Sequence, residues 1–386
     1  MNEIFEAEVS EPKHRCTLAR KLEKFYSSAD LKDEIPFKNA VFGLDVYGTK
    51  MAVSWWVSAK RTRSYPYARV YDTLGFDGRR ATIIPFVKDE GAEGERDFLQ
   101  WDTISLMSLL GVYVILAFYV KAERSSVKGK ITNQRFDCEY LAKRFRELAQ
   151  ARVSAHEWNV HEIENNLKFV AERAKKGYQK IQNETKIKLH GGSGIDKALE
   201  LISEGVEKYK DRSRIFADKA QRREAVTLQP KEHVTLAKKW MIVVRNQIGG
   251  YYPWTIDDMV RIKDDVFLIE KKHSARRKLP ALGDVKDGFL RLIVYNTIVK
   301  LLDSDGKKLR SYACLGLTSD LGTGACCNVL DKSVSNCKLN LSRKEFDTLQ
   351  EVFNEGTNNG IVVLYLGRDV QSQEEPMLEK ILGSMA

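Results

Sequence analysis

Cysteine is scarce and irregularly placed, six residues in 386. This argues against a small secreted scaffold held by disulfides and leaves buried or free thiols as the expected state. Proline is scarce too, with only 8 residues, while 43% of the chain is hydrophobic, so long disordered tracts are not expected. The first 38 residues are charged throughout and lack an apolar run of the kind a cleavable signal peptide needs. A reducing, cytoplasmic setting is therefore expected. The longest uncharged stretch, Thr103 to Val120, is 18 residues, the lower limit for a membrane span. It divides at Gly111 into a helix-like half and a β-branched, aromatic half, so a core helix running into a buried strand is expected instead.

Several familiar motifs are also missing. HEWNVH (156–161) sets its histidines five apart where the helical zinc motif needs four. Cys314, Cys326, Cys327 and Cys337 lack CxxC spacing. In GLDVYGTK, Thr49 separates Gly48 from Lys50, which breaks the phosphate-loop pattern.

What is present in excess is positive charge, 63 basic against 53 acidic residues, which favours a polyanionic partner. Residues 121–245 carry 28 basic and 17 acidic side chains, whereas the flanking segments are close to balance. Periodicity gives a mixed α/β chain in three parts. Residues 1–130 form a β-rich N-terminal domain with strands AVFGLDVYG, KMAVSWWVSA, YPYARVYDTL and ATIIPFVK. Residues 131–240 form a helical, basic middle, and residues 241–386 an α/β C-terminal domain. In the last part, DDMVRIK and VFLIEKK are predicted as strands, DVKDGFLRLIVYNTIVKLL as a helix, SYACLGLTS and IVVLYLGR as strands and SRKEFDTLQEVFNEG as a helix.

The candidate chemistry lies in TIDDMVRIKDDVFLIEKKH, Thr255 to His273. A two-residue turn at Asp264-Asp265 would pair Met259 with Glu270 and Asp257 with Lys272. Directly paired residues, and residues two apart on one strand, share a face. Asp257, Glu270 and Lys272 therefore converge, with Asp258 and Lys271 opposite. Two carboxylates supply hard oxygen ligands for Mg²⁺, and an ammonium beside them can orient a water or stabilise charge on a phosphate. A surface salt-bridge ladder is the plain alternative.

Asp257, then Glu270-Lys271-Lys272 on an apolar strand followed by an amphipathic helix, resembles the PD-(D/E)xK nuclease superfamily, in particular its type II restriction endonucleases, over roughly residues 225–386. Ile256 stands where the family name has proline. The resemblance implies a Mg²⁺-dependent, sequence-specific endonuclease acting on double-stranded DNA as a homodimer. Asp257 and Glu270 would be metal ligands and Lys272 the catalytic lysine. Glu232 would be an auxiliary ligand and His273 a neighbour of the metal. Candidate DNA contacts are Lys271, Arg276, Arg277 and Lys278 after the strand, Arg222 and Arg223 in the basic middle, and Arg61 and Arg63 in the N-terminal part; each also reads as an ordinary solvated charge. A non-catalytic nucleic-acid-binding or scaffold protein remains the alternative.

Overall fold

The computed structural model describes residues 4–58, 65–205, 207–213, 215, 240–246, 249–331 and 333–385. The chain is mixed α/β and separates into two compact units, Arg20–Ala217 and a second made of Met1–Ala19 with Asp218–Ala386. This replaces the three-part division expected from periodicity. Strand β1 (Ile4–Val9) leaves the N-terminal part and joins the unit of the C-terminal residues.

The Arg20–Ala217 unit contains β2 (Phe25–Ser27), α1 (Ser28–Lys32), β3 (Val41–Val46), β4 (Thr49–Trp55), α2 (Tyr65–Leu74), β5 (Arg79–Pro85), β6 (Val87–Asp89), β7 (Arg96–Phe98), α3 (Trp101–Leu109), β8 (Tyr113–Ala117), β9 (Tyr119–Arg124) and β10 (Ile131–Phe136). It continues through α4 (Cys138–Gln150), α5 (Ala155–His161), α6 (Leu167–Thr185) and α7 (Ser193–Ser203). Its main sheet runs β2-β3-β4-β5-β8. The uncharged stretch splits as expected, into α3 and β8, around Gly111 at φ +66°. Among the described residues no helix is long and apolar enough to cross a membrane.

YPYARVYDTL is a helix, not a strand: Tyr67, Val70, Tyr71 and Leu74 are all buried, and their spacing is that of one helical face. The helical middle does not stand alone. Leu141, Phe145 and Leu148 of α4 are fully buried. The Trp158 indole of α5 donates to the Val114 carbonyl at 2.8 Å, and Asn159 accepts from Val114 N at 2.7 Å. These bonds attach the helices to β8, so the periodicity locates the helices correctly while the domain boundary moves.

The other unit contains β1, β11 (Trp240–Asn246), β12 (Tyr251–Ile256), β13 (Asp258–Ile262), β14 (Asp265–Ser274), α8 (Leu282–Tyr295), β15 (Ile298–Leu302), β16 (Lys308–Ser319), β17 (Ala325–Cys327), α9 (Arg343–Asn358), β18 (Val362–Gly367) and α10 (Glu374–Met385). β1 lies between β11, to which it is parallel, and β15, to which it is antiparallel. β14 is antiparallel to β13 and parallel to β16, and β16 is parallel to β18. The predicted long helix ends at Tyr295, and its tail turns into β15 after Asn296.

Helix α8 packs on β14 and β16. The alternate residues Phe267 and Ile269 join Leu378 and Ile381 of α10 in an apolar core on another face. A strand with both faces covered is expected to be apolar throughout, and β14 is, from Val266 to Ile269. Glu270 extends that buried run as a carboxylate only 1% exposed.

Cys326 and Cys337 form a disulfide with a Cα separation of 5.8 Å, contrary to the expectation of free thiols at these two positions. The strand β17 and a short loop bring together residues whose spacing carries no disulfide signature. Among the described residues Cys138, Cys314 and Cys327 are free thiols.

Candidate active site

The β13–β14 hairpin turns at Lys263-Asp264, one position earlier than expected, with Ile262 paired to Asp265 and Asp258 to Ile269. Lys263 takes the left-handed conformation at φ +59° that such a turn requires. Asp265 cannot serve as a turn residue because it is buried and holds Arg310 at 2.7 Å and the Tyr312 hydroxyl at 3.2 Å. The pairing therefore shifts by two residues, and a shift of two keeps every side chain on its original face.

The expected partition between faces follows. Lys271 Nζ lies 2.5 Å from Asp258 Oδ2 and 2.6 Å from Glu374 Oε2 on one side of β14. On the other side, Lys272 Nζ lies 2.8 Å from Glu270 Oε1 and 3.0 Å from Asp287 Oδ2. Asp257 sits just before β13, and its carboxylate accepts a hydrogen bond from Lys271 N at 3.0 Å.

Two members of the cluster come from α8 and were not singled out in the sequence. Asp287 is 1% exposed, and its second oxygen, Oδ1, has no hydrogen-bond partner among the described residues. Arg291, one turn later, donates to Glu270 Oε2 at 3.3 Å. The available signal was an Asp and an Arg four apart in an otherwise apolar stretch, GFLRLIVY after VKD, on a helix expected to cover the strand. Gly288 allows α8 to approach: a Cβ there would lie 3.1 Å from Lys272 Cε and 3.2 Å from Glu270 Cγ.

Burial alone would lower the Lys272 pKa, but the charges of Glu270, Asp287 and Asp257 outweigh it, so the ammonium is held above the ordinary lysine value. Burial raises the Asp287 carboxyl despite the opposing pull of Lys272 and Arg291. Asp257 is pushed up to about 7, first by the surrounding protein and then by the charge of Glu270. The Asp257 residue is nevertheless exposed, so water weakens the first of these causes and leaves the charge of Glu270 as the specific one.

Of the three residues of the surface-ladder alternative, Glu270 is buried at 1% exposed while Asp257 is exposed. Buried ion pairs contribute little net stability, since desolvation offsets their attraction. The carboxylates are hard oxygen donors suited to Mg²⁺. Among the described residues, the three-ligand group with all ligand atoms within 4.8 Å of one another is Cys326, Asp331 and Cys337, not these carboxylates.

No protein-family model, curated protein or solved structure matches this chain.

The remaining candidates are dispersed. His273 bonds to Thr318 Oγ1 at 3.0 Å and lies 3.5 Å from Asp320, so its ring is engaged with these two residues. Lys271 is enclosed by Asp258 and Glu374, which removes it from the set of free phosphate contacts. Arg276 and Arg277 are exposed after β14, while Lys278 bonds to the Asn340 carbonyl. Glu232, Arg222, Arg223, Arg61 and Arg63 lie outside the described residues.

Proposed function

We propose that this protein is a Mg²⁺-dependent endonuclease of the type II restriction kind, hydrolysing phosphodiester bonds of double-stranded DNA at a PD-(D/E)xK-like site. The observation that carries the reading is the pairing of Lys272 with the buried Glu270 and Asp287, close enough to Asp257 for Glu270 and Lys272 to act on its charge. Asp257 and Glu270 would hold the ion, with Asp287 Oδ1 as a further acceptor for a water. Bound there, Mg²⁺ would polarise the scissile phosphate and lower the pKa of an attacking water.

The chain's own groups have separate tasks. Asp257 must give up its proton for a cation to bind, and a cation would relieve its repulsion with Glu270. Lys272 remains an ammonium and can donate to a phosphate oxygen as negative charge develops. Asp287 and Arg291 hold Lys272 and Glu270 in place. Cutting both strands takes two such sites, which a homodimer would supply.

A second reading is a non-catalytic nucleic-acid-binding protein whose Lys272 serves only a structural ion network. It is favoured by the two carboxylates that already engage Lys272. The two readings separate when plasmid or phage DNA is incubated with the protein and Mg²⁺ and the ends are sequenced. The nuclease reading expects discrete fragments that vanish with EDTA; intact DNA that is nevertheless bound would replace it with the second reading.

A further inference from the structure

We propose that the loop Cys326–Cys337 is a thiol-based metal site, closed by a disulfide when oxidised and able to take one Zn²⁺ ion when reduced. Its ligands would be the two sulfurs and the Asp331 carboxylate. The three ligand atoms lie within 4.8 Å of one another. Two thiolates make the set soft, which selects Zn²⁺ over Mg²⁺ and separates this site chemically from the carboxylate cluster.

The loop is built to hold this arrangement. Cys326 is anchored on β17, where it pairs with Tyr365 of β18. Asp331 N donates to the Cys327 carbonyl at 2.9 Å, while Asp331 Oδ2 accepts from Cys327 N at 2.8 Å. The backbone thus fixes the carboxylate from outside, as the supporting bonds of metal ligands do. Cys337 is fixed by its own N–H, which donates to the Val334 carbonyl at 3.0 Å. Cys326 is fully buried, whereas Asp331 and Cys337 are half-buried, which leaves an approach for the ion and for a water as fourth ligand.

The dimensions agree. Zn–S bonds of roughly 2.3 Å in a tetrahedron set two sulfurs roughly 3.8 Å apart, so the S–S bond must open before both bind one ion, across a Cα separation of 5.8 Å. Cys327 is adjacent in sequence but its sulfur is engaged by the backbone, accepting from Val329 N at 3.4 Å. It stays a thiol outside the ligand set.

The chemistry balances in two steps. A dithiol reductant transfers two electrons and two protons to the Cys326–Cys337 bond, giving two thiols and the oxidised reductant. Zn²⁺ then replaces the two thiol protons, which are released to solvent.

The test uses the full-length chain, reduced anaerobically and freed of reductant, titrated with Co²⁺ as a spectroscopic probe and then with Zn²⁺. The proposal expects a saturable sulfur-to-cobalt charge-transfer band at one ion per chain, abolished by Zn²⁺ and absent from the oxidised protein. Cys337→Ser should lose the band, and Asp331→Asn should weaken binding while the band persists. Cys327→Ala and Cys16→Ser should keep it. Should Cys337→Ser fold poorly, the oxidised and reduced wild-type chain make the same comparison. Absence of the band in the reduced protein, or its loss in Cys327→Ala with retention in Cys337→Ser, would overturn the assignment. Neither readout involves DNA cleavage, so failure here leaves the nuclease reading untouched.

Discussion

The two units of this protein divide charge and candidate chemistry between them. Arg20–Ala217 carries 35 basic and 27 acidic residues, and the other unit 28 and 26. The excess of positive charge is thus mostly on the unit without the carboxylate cluster. There, Lys32, Lys121, Arg173, Lys176 and Lys180 line one cavity of about 420 Å³ together with Glu34, Asp137 and Glu139, and Lys32, Lys121 and Lys176 have no ion pair among the described residues. The other unit has near-balanced charge but buries a cation between two carboxylates. Long-range attraction for a polyanion and short-range handling of one phosphate make different demands: the first needs exposed charge, the second charge held in dry surroundings.

This contrast can be broken at several points. The largest stability effect is expected from Lys272→Ala, which leaves the buried Asp287 without its ion pair and Glu270 with Arg291 alone and should cost about 3–5 kcal/mol; denaturant unfolding measures it. Reversing Lys32, Lys121 and Lys176 to Glu should leave stability near wild type and weaken DNA binding about 10-fold or more at every sequence. It should also flatten the salt dependence by roughly one unit of slope per lost phosphate contact. An unchanged salt slope would remove the charged unit from the DNA-binding account.

Gly288→Ala is milder. The added Cβ meets Leu315 Cδ1 at 3.0 Å and the Lys272 and Glu270 side chains at 3.1 and 3.2 Å, so α8 must shift. A stability cost of about 1–3 kcal/mol is expected, with cleavage reduced about 10-fold because positioning is sensitive to displacement.

The smallest effect is a pH dependence. Because the Asp257 pKa is raised in the folded state, first by desolvation and then by the charge of Glu270, the folded chain binds more protons than the unfolded one just above the ordinary carboxylate range. The metal-free protein should therefore lose stability as pH rises through this window. Asp257→Asn should remove that loss. Mg²⁺ should raise the melting temperature more at pH 8 than at pH 5, by about 2–4 °C after allowance for solvent access. Equal shifts at both pH values would argue against cation binding at Asp257.

The hairpin shows why part of this was legible in the sequence. Its turn was misplaced by one residue, yet the alternation of side chains depends only on parity, so Asp257, Glu270 and Lys272 were still assigned to one face. Helix α3 and strand β8 were legible because Gly111 interrupts a run whose two halves differ in residue type. Long-range pairing was not: nothing local in IFEAEV says that β1 will lie parallel to β11. Asp287 and Arg291 were missed for a related reason. They become informative only when α8 lies across β14, and the helix pattern alone does not say which carboxylate meets Lys272. The Cys326–Cys337 pairing likewise depends on how β17 and its loop return, not on spacing.

The most direct measurement is cleavage of supercoiled plasmid with Mg²⁺ by the wild-type chain and by Asp257→Asn, with DNA binding measured in parallel without metal. The substitution removes a charge and almost no volume. The account predicts that cleavage falls at least about 10²-fold while binding persists. Wild-type protein that binds DNA without cutting it, or an Asp257→Asn variant that cuts at the wild-type rate, would contradict it.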